Sequence, residues 1–571
     1  MATFYGKQCV NRYQALREDA KKIGKRALES FTNSVEKAYR DQADILIEQG
    51  RILEGQQVLD LLKQQELFDL LRRDAKEFNT AKLTELNEVE AEADRRIKAQ
   101  GDRILTLARE EETLLAKPEA LRADADKRRL LEVKRLLDEA QAQFQKVLES
   151  LVALFEQSAA RLAAKPFTPA DAEAFTTTLK DLREQSGKKP VAVYTLMGEN
   201  KLRFIILSDL GNPVAREFPI TAAELNKKIA AFRIALQNPS VDPRPLGKQL
   251  YDILIKPIEA DLSGAQAQTL LWSLDGPLRY IPLAALSPDG VHYLIETERA
   301  NTIFTPAAMN SGALTRAPKP QWQALALGVT QGFASVENQG TTLGFPALTG
   351  VRQEVGTVTG LLTGSTTLLD ADFTKERLEA TLAEKAGKFS VVHIASHFHF
   401  QPTGDETRSF LLTGDGKALT LAQLKSLRSN VFSGVDLLTL SACATGLGTV
   451  GASGTGAEVE GFGALAQRKG AGAVLASLWS VSDASTSALM QAFYAIHQKE
   501  PGLGKAECLR RAQLGLLTGS LPIEARQLGR GPVAATGNKD TTGLPRFVAP
   551  ASAPAAHPFY WAPFILIGNT R

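Results

Sequence analysis

Cysteine and histidine are scarce in this chain of 571 residues, which has three cysteines and six histidines. Cys9, Cys443 and Cys508 lie far apart, and such an odd, sparse set argues against a disulfide framework and against a zinc module. The formal net charge is only +3, which gives no case for a nucleic-acid or membrane partner. No run approaches the roughly 18 apolar residues of a membrane helix, and the polar start of the chain has no secretory signal. These absences predict a cytoplasmic protein without a metal or other cofactor.

The composition changes near residue 165. Before it, proline is almost absent and helix-forming residues dominate, whereas β-branched runs, glycine and proline follow it. An apolar seam with 3-4 spacing, typical of paired helices, comprises Leu130, Val133, Leu137, Ala140, Phe144, Val147, Leu151 and Leu154. A rougher seam precedes it, and Pro118 between the two predicts a turn. We therefore expect a helical hairpin or coiled coil over residues 81–185, either as an ordinary bundle or as an arm that binds a partner.

Residues 43–74 have the pattern of a helix-turn-helix repeat around Gly50. The pattern resembles one tetratricopeptide repeat, and we interpret residues 1–80 as a tetratricopeptide-like helical segment. A lone repeat cannot bury its own face, so the segment is either a degenerate cap or the remnant of a longer array.

The rest of the chain alternates short apolar runs with helical patterns, which predicts an α/β fold with a mainly parallel sheet flanked by helices. "PVAVYTLMGENKLRFIILSD" predicts a β-hairpin. In residues 389–442 the strand "FSVVHIAS", a hairpin, a helix capped by Thr420 and the strand "VDLLTLSA" follow one another. Because ligands gather at the carboxyl ends of such strands, His397 and Cys443 should meet at one edge of the sheet. A thiol beside an imidazole is the minimum equipment for acyl transfer.

Other interpretations of these residues stay open. Cys443 is equally compatible with a buried core cysteine. His393, His397 and His399 share strand parity, but no acidic residue or cysteine completes a metal site. We expect the strand to end near Ser396, with His393 in the core and His399 in a loop. The glycine-rich segment after Cys443 lacks a phosphate-binding fingerprint and predicts a substrate loop rather than a nucleotide site.

Several spaced segments together resemble the CHAT domain family of caspase-like proteases: "LLWSLDGPLRYIPLAAL", "FPALTGVRQEV", "VVHIASHFHF", "LLTLSACATGLG", "GAVLASLWSV" and "AHPFYWAPFILIG". The resemblance covers residues 190–568. It implies a caspase-like sheet with a non-catalytic half at 190–350 and a catalytic half at 351–571. It also implies a bacterial protein in which a tetratricopeptide-like region precedes the CHAT domain.

The resemblance implies that Cys443 is the nucleophile and His397 the general base. It implies an oxyanion hole made by the backbone N–H groups of Cys443 and of the residue after the histidine. That residue is Phe398, where the family often has glycine, and Ala444 stands where it often has glutamate.

The sequence indicates the substrate preference less clearly than it indicates the catalytic pair. Ser441, two positions before Cys443, supplies no charge for a basic substrate residue. Asp405 and Glu406 are candidates for that role, or simply a solvated acidic loop. The long Pro/Gly/Ala-rich segment 525–558 is compatible with a flexible lid, with a self-cleavage site at Arg530 or with a disordered surface loop.

The sequence therefore predicts an endopeptidase that cleaves a protein partner and is regulated through its helical region, to which a regulatory protein binds. The alternatives are a non-catalytic interaction scaffold and, more weakly, signalling through a nucleotide at the glycine loop.

Overall fold

The protein is described here by a computed structural model that covers residues 1–20, 25–71, 83–164, 167–304, 312, 314–319, 321–385, 387–399, 407–444, 457–479, 483–524, 528 and 543–571. The helices in these ranges are α1 (Ala2–Ala20), α2 (Lys25–Glu48), α3 (Ile52–Leu71), α4 (Glu88–Leu115), α5 (Asp124–Ala164), α6 (Ala170–Ser186), α7 (Ala222–Leu236), α8 (Arg244–Leu254), α9 (Glu259–Gly264), α10 (Val351–Leu361), α11 (Lys375–Glu384), α12 (Leu421–Ser426), α13 (Ala457–Arg468), α14 (Asp483–Lys499), α15 (Lys505–Thr518) and α16 (Pro558–Trp561).

The strands are β1 (Pro190–Met197), β2 (Lys201–Ser208), β3 (Val214–Pro219), β4 (Thr269–Ser273), β5 (Ala300–Ile303), β6 (Ala324–Gly328), β7 (Phe333–Asn338), β8 (Thr341–Phe345), β9 (Thr366–Leu369), β10 (Val391–His399), β11 (Phe410–Leu412), β12 (Ala418–Thr420), β13 (Leu437–Ala444), β14 (Ala473–Ser477) and β15 (Phe564–Gly568). None of the helices in the described part of the chain combines the length and the hydropathy that a membrane crossing requires.

The chain divides into two compact units, and helix α3 supplies residues to both. The first unit comprises residues 1–58 and 80–172, and the second comprises residues 59–79 and 173–571. The first unit is helical, whereas the second has a mainly parallel sheet with helices. The predicted fold class is therefore confirmed, while the four predicted domain ranges stay a prediction.

In the first unit, α4 and α5 form an antiparallel hairpin. Arg103 donates to Gln143 at 2.8 Å, and Arg129 donates to Glu110 at 2.6 Å. The turn between the helices contains Pro118, which cannot continue a helix. The buried side of α5 follows the seam read from the sequence and comprises Val133, Leu137, Ala140 and Leu151. The middle of the seam, at Val133, Leu137 and Ala140, is therefore buried against α4, whereas Leu151 also packs against Phe4 of α1. Whether the hairpin binds a partner stays a prediction.

A balanced cluster of buried charges joins α1, α3 and α4. Lys7 is fully buried, and its Nζ atom lies 2.5 Å from Glu54 and 2.8 Å from Glu90. Arg51, in the short turn that follows Gly50, contacts the same two carboxylates at 2.5 and 2.6 Å. Burial disfavours the charged form of Glu90, but the two cations outweigh it and hold its pKa below the usual value. Removal of any one partner would leave a charge without compensation in a medium of low dielectric constant.

The second unit has a 13-stranded sheet among the described strands. Its order is β12-β11-β10-β13-β14-β15-β5-β4-β1-β2-β3, and β6 and β9 extend it beside β10. The strands β1 and β2 form the predicted antiparallel hairpin, and β11 and β12 form another. The three strands β6, β10 and β13 are adjacent and parallel. The residues of these strands whose burial is described are almost all buried, as expected when both faces of a sheet are covered.

The second part of α3 belongs to this unit through buried polar contacts. Tyr194 donates its hydroxyl to Asp60 at 3.1 Å, and the Lys63 ammonium donates to the Leu274 carbonyl. Glu66 accepts from Arg279, a fully buried guanidinium, at 2.5 Å. These contacts fix residues 60–66 of α3 against β1 and the segment that follows β4.

Helices α10 and α14 cover one face of the central strands and are joined to them by a buried hydrogen-bond chain. The Tyr494 hydroxyl on α14 lies 3.1 Å from Nδ1 of His393 and 2.8 Å from Oγ1 of Thr439. Nε2 of His393 lies 3.0 Å from the Glu354 carboxylate on α10. Burial raises the pKa of Tyr494, which keeps the hydroxyl protonated. His393 and Thr439 are a register pair, so one hydroxyl bridges β10 and β13.

Replacement of Lys7 by methionine should destabilise the first unit by about 3–5 kcal/mol, because two buried carboxylates would keep only Arg51 as a partner. The free energy of unfolding, measured by urea titration, tests this expectation. Lys37→Met is the matched control, since Lys37 pairs with Asp41 at the surface, where ion pairs contribute little. Equal unfolding midpoints for the Lys7 variant and the wild type would contradict the account.

Tyr494→Phe should lower the free energy of unfolding by about 1–3 kcal/mol, because His393 and Thr439 lose a buried hydrogen-bond partner. The control is Tyr293→Phe: the Tyr293 hydroxyl is also buried but has no hydrogen-bond partner among the described residues. We expect little loss in that variant. A similar loss in both variants would mean that the bridge contributes nothing specific.

Candidate active site

Positions 397 and 443 lie side by side at the carboxyl ends of two adjacent parallel strands. In the backbone register of β10 and β13, His397 is opposite Cys443, and Phe398 is opposite Ala444. Neighbouring strands are about 4.8 Å apart. The sheet therefore brings together two positions that are distant in the sequence, as the strand pattern predicted. Paired positions in a parallel ladder lie on the same face of the sheet.

The orientation of His397 is set by a backbone carbonyl. Its side chain is almost completely buried, and Nε2 lies 2.8 Å from the carbonyl oxygen of Pro346. A carbonyl can only accept, so Nε2 carries the proton and Nδ1 is the nitrogen that can take one up. The ring of Phe345 contacts the imidazole, with 5.2 Å between the ring centroids. The arrangement therefore orients the imidazole.

The Pro346 carbonyl is held at the end of the β7–β8 hairpin. The two turn residues, Gln339 and Gly340, have φ values of 49° and 75°, as a two-residue hairpin of this twist requires. The Asn338 side chain donates to the Thr407 carbonyl at 2.9 Å. An isolated hairpin is marginally stable in water, so this contact and the packing of Phe345 help to keep the hairpin in place.

Neither Phe345 nor Pro346 was assigned a role from the sequence. Both belong to "FPALTGVRQEV", a segment that carried the family resemblance. The signal was a proline after a buried aromatic residue, which does not by itself indicate a carbonyl that binds histidine.

The strand that carries the histidine is longer than expected. We predicted an end near Ser396 and a loop position for His399, but β10 continues to His399. The reason is that β11 pairs with residues 398 and 399 beyond the point where β6 ends. The ring of His399 lies against Phe410, with 5.3 Å between the centroids. His393 lies in the core and has a hydrogen-bond partner at each ring nitrogen.

The remaining predicted site residues are placed only in part. Phe398 lies within the sheet, with Leu411 opposite it on β11, and its half-buried side chain packs against the core. Ser441 is half-buried in β13, opposite Ala395. Asp405, Glu406 and Arg530 lie outside the described residues, as does the glycine-rich segment 445–456. The last part of the predicted 525–558 loop is fixed, because Phe547 and Asp242 form backbone hydrogen bonds with Ser240 and Pro545, respectively.

The other two cysteines have different surroundings. Cys508 is fully buried in α15, and burial raises the pKa of its thiol to about 12. Cys9 is exposed on α1. The buried thiol is therefore unreactive at neutral pH.

Comparison with known proteins adds the family. A model of the CHAT domain matches residues 244–569, which is more than half of the chain. No curated protein matches the chain. One similar solved structure is the crystal structure of the Arg-specific cysteine proteinase gingipain R, with 12% sequence identity and a TM-score of 0.31 over 61% of this chain and 75% of the gingipain chain. A TM-score this low does not support any conclusion about activity. The match of the domain model shows that the chain belongs to the CHAT domain family.

Proposed function

We propose that the protein is a cysteine endopeptidase that cleaves a partner protein with the pair Cys443 and His397. The observation that carries the proposal is the register pairing of the two positions at the carboxyl edge of the sheet. The protonation of His397 at Nε2, required by its contact with Pro346, supports it further. Membership of the CHAT domain family is consistent with this chemistry.

In the proposed reaction, Nδ1 of His397 takes the thiol proton of Cys443, and the thiolate sulfur attacks the carbonyl carbon of the scissile peptide bond. The C–N bond then breaks, and the leaving amine receives the proton from Nδ1. Water gives a proton to the same nitrogen and attacks the thioester, which releases the acid and restores the thiol. The Pro346 carbonyl keeps the ring oriented and stabilises its cationic form, as a carboxylate does in related triads.

The proposed oxyanion donors are the backbone N–H groups of Cys443 and Phe398. Such an N–H group contributes when it points at the negative charge that develops on the substrate oxygen and is not hydrogen-bonded within the sheet. Phe398 lies between β13 and β11 in the ladder. Its N–H group therefore serves the oxyanion only in a state in which the end of β10 separates from one neighbour.

Ser441, Asp405 and Glu406 remain the proposed contacts to the substrate side chain. The helical N-terminal region is proposed to regulate the protease and to bind a regulatory protein. The support for regulation is that α3 contributes residues 52–58 to the first unit and residues 59–71 to the second. A continuous helix is a stiff element, so a change in its first part has a direct route to the unit that carries the proposed dyad.

A non-catalytic interaction scaffold is the second candidate function. The observation that favours it is the position of Phe398, a large residue within a paired strand where many family members have glycine. A scaffold would use the same fold without a reactive thiol.

Alkylation tests the activated thiol. In a Cys9→Ser background, iodoacetamide should modify Cys443 at pH 6, and His397→Ala should slow that reaction by about tenfold or more, because an unassisted thiol has a pKa near 8.5. Peptide mapping by mass spectrometry identifies the modified residue. Cys508 is the internal control, since burial raises the pKa of its thiol to about 12.

Cleavage tests the activity itself. Wild type and Cys443→Ala are incubated with the proteins encoded by neighbouring genes, and new N-termini are identified by mass spectrometry. We expect new N-termini only with the wild type. If the His397 variant reacts with iodoacetamide like the wild type and no protein is cleaved, the scaffold is the better explanation.

A further inference from the structure

Helix α15 begins with a buried lysine that the proposed mechanism does not use. Lys505 is 1% exposed. Its ammonium forms neither a hydrogen bond nor an ion pair in the part of the chain that the structure describes. Burial lowers the pKa of Lys505 to about 8, so the amine is still largely protonated at neutral pH. A buried cation needs a compensating negative group, because it has lost its hydration.

The described charges around Lys505 do not compensate it. Asp436 attracts the ammonium but is not in ion-pair contact with it, and its carboxylate accepts from the backbone N–H of Lys319 at 2.7 Å. Arg316 and Arg571 are half-buried, and their charges oppose the protonation of Lys505. Helix α15 has no side-chain cap at its start, so the positive end of its dipole adds to the excess. These described groups therefore comprise three cations and one carboxylate.

Two buried ring nitrogens near the lysine also lack partners. Nε1 of Trp322 and Nε2 of His497 form no hydrogen bond with the described residues. The two rings are stacked, with 3.5 Å between their centroids. Burial and the nearby charge of Lys505 lower the pKa of His497 to about 4, which keeps the imidazole neutral. Because an indole N–H and an ammonium can only donate, a group that binds both must be an acceptor.

The cluster lies at the amino edge of the central strands. Asp436 directly precedes β13, and only Gln323 separates Trp322 from β6. Both strands are parallel to β10, so their first residues share one edge of the sheet. The proposed dyad lies at the opposite edge, and the stretch from Asp436 to Cys443 spans roughly 23 Å at about 3.3 Å per residue. The cluster is therefore separate from the candidate active site.

We propose that the cluster of Lys505, Trp322 and His497 binds a small oxyanion such as phosphate or sulfate. Lys505 supplies the opposite charge, and Trp322 donates its N–H to an oxygen of the ion. The tautomer of His497 with a proton on Nε2 adds a third donor. Arg316 and Arg571 are only half-buried, and their charges attract the anion from solvent. Because the three binding groups are almost completely buried, the ligand is a free ion rather than part of a larger molecule.

Equilibrium dialysis of the full chain against radiolabelled phosphate tests the site at pH 7, with chloride holding the ionic strength constant. We expect the wild type to bind a single phosphate per chain. Lys505→Met should weaken binding by about tenfold or more, because a charged donor is lost, and Trp322→Phe by about threefold, because a neutral donor is lost while the ring remains. Lys499→Met is the matched control: it removes the same charge from an exposed residue of α14 and should bind like the wild type.

Lys505→Met should fold, because it replaces a desolvated cation with an apolar side chain of similar length; if it does not, Trp322→Phe carries the test. Phosphate should raise the thermal unfolding midpoint of the wild type but not that of Lys505→Met. The inference is overturned if the wild type shows no saturable binding, if either site variant binds like the wild type, or if Lys499→Met loses binding equally. Glycerol 3-phosphate identifies the source of the anion: binding weaker than that of phosphate supports a free ion, and equal binding contradicts one.

Discussion

The backbone register between β10 and β13 is the constraint on which the candidate site depends. His397 and Cys443 are brought together because two parallel strands end beside each other, with the hairpin β11–β12 and helix α12 returning the chain between them. The hydrogen-bond chain from His393 and Thr439 to Tyr494 joins the same two strands, four residues before His397 and Cys443. A buried polar chain of this kind stabilises only the arrangement in which every member has a partner. The register and the helices that cover it are thus specified by the same contacts.

The β7–β8 hairpin gives the site its second constraint. Its last residue, Phe345, contacts the imidazole of His397. The carbonyl of the next residue, Pro346, determines which nitrogen of that imidazole is protonated. A backbone carbonyl cannot titrate, so this control of the tautomer is independent of pH in a way that a carboxylate would not be.

Two groups of buried charges hold helices in one arrangement. Lys7 with Glu54 and Glu90 joins three helices of the first unit, and Glu66 with Arg279 fixes α3 in the second. Such pairs are poor sources of net stability, because desolvation offsets their attraction. They do penalise any arrangement that separates the partners.

The sequence by itself determined the fold class, the hairpins at β1–β2 and β11–β12, the cap at Thr420 and the two strands whose ends carry His397 and Cys443. These features follow from local patterns: periodicity, turn residues and continuous apolar runs. Only the tertiary structure decided where β10 ends, because its extension to His399 depends on pairing with β11. Only the tertiary structure shows that the Pro346 carbonyl contacts His397 and that Glu354 and Tyr494 contact His393. A backbone acceptor and long-range contacts produce no periodic pattern in the sequence. Strand order and register determine which residues meet across the sheet, and neither can be read from a single segment of the sequence.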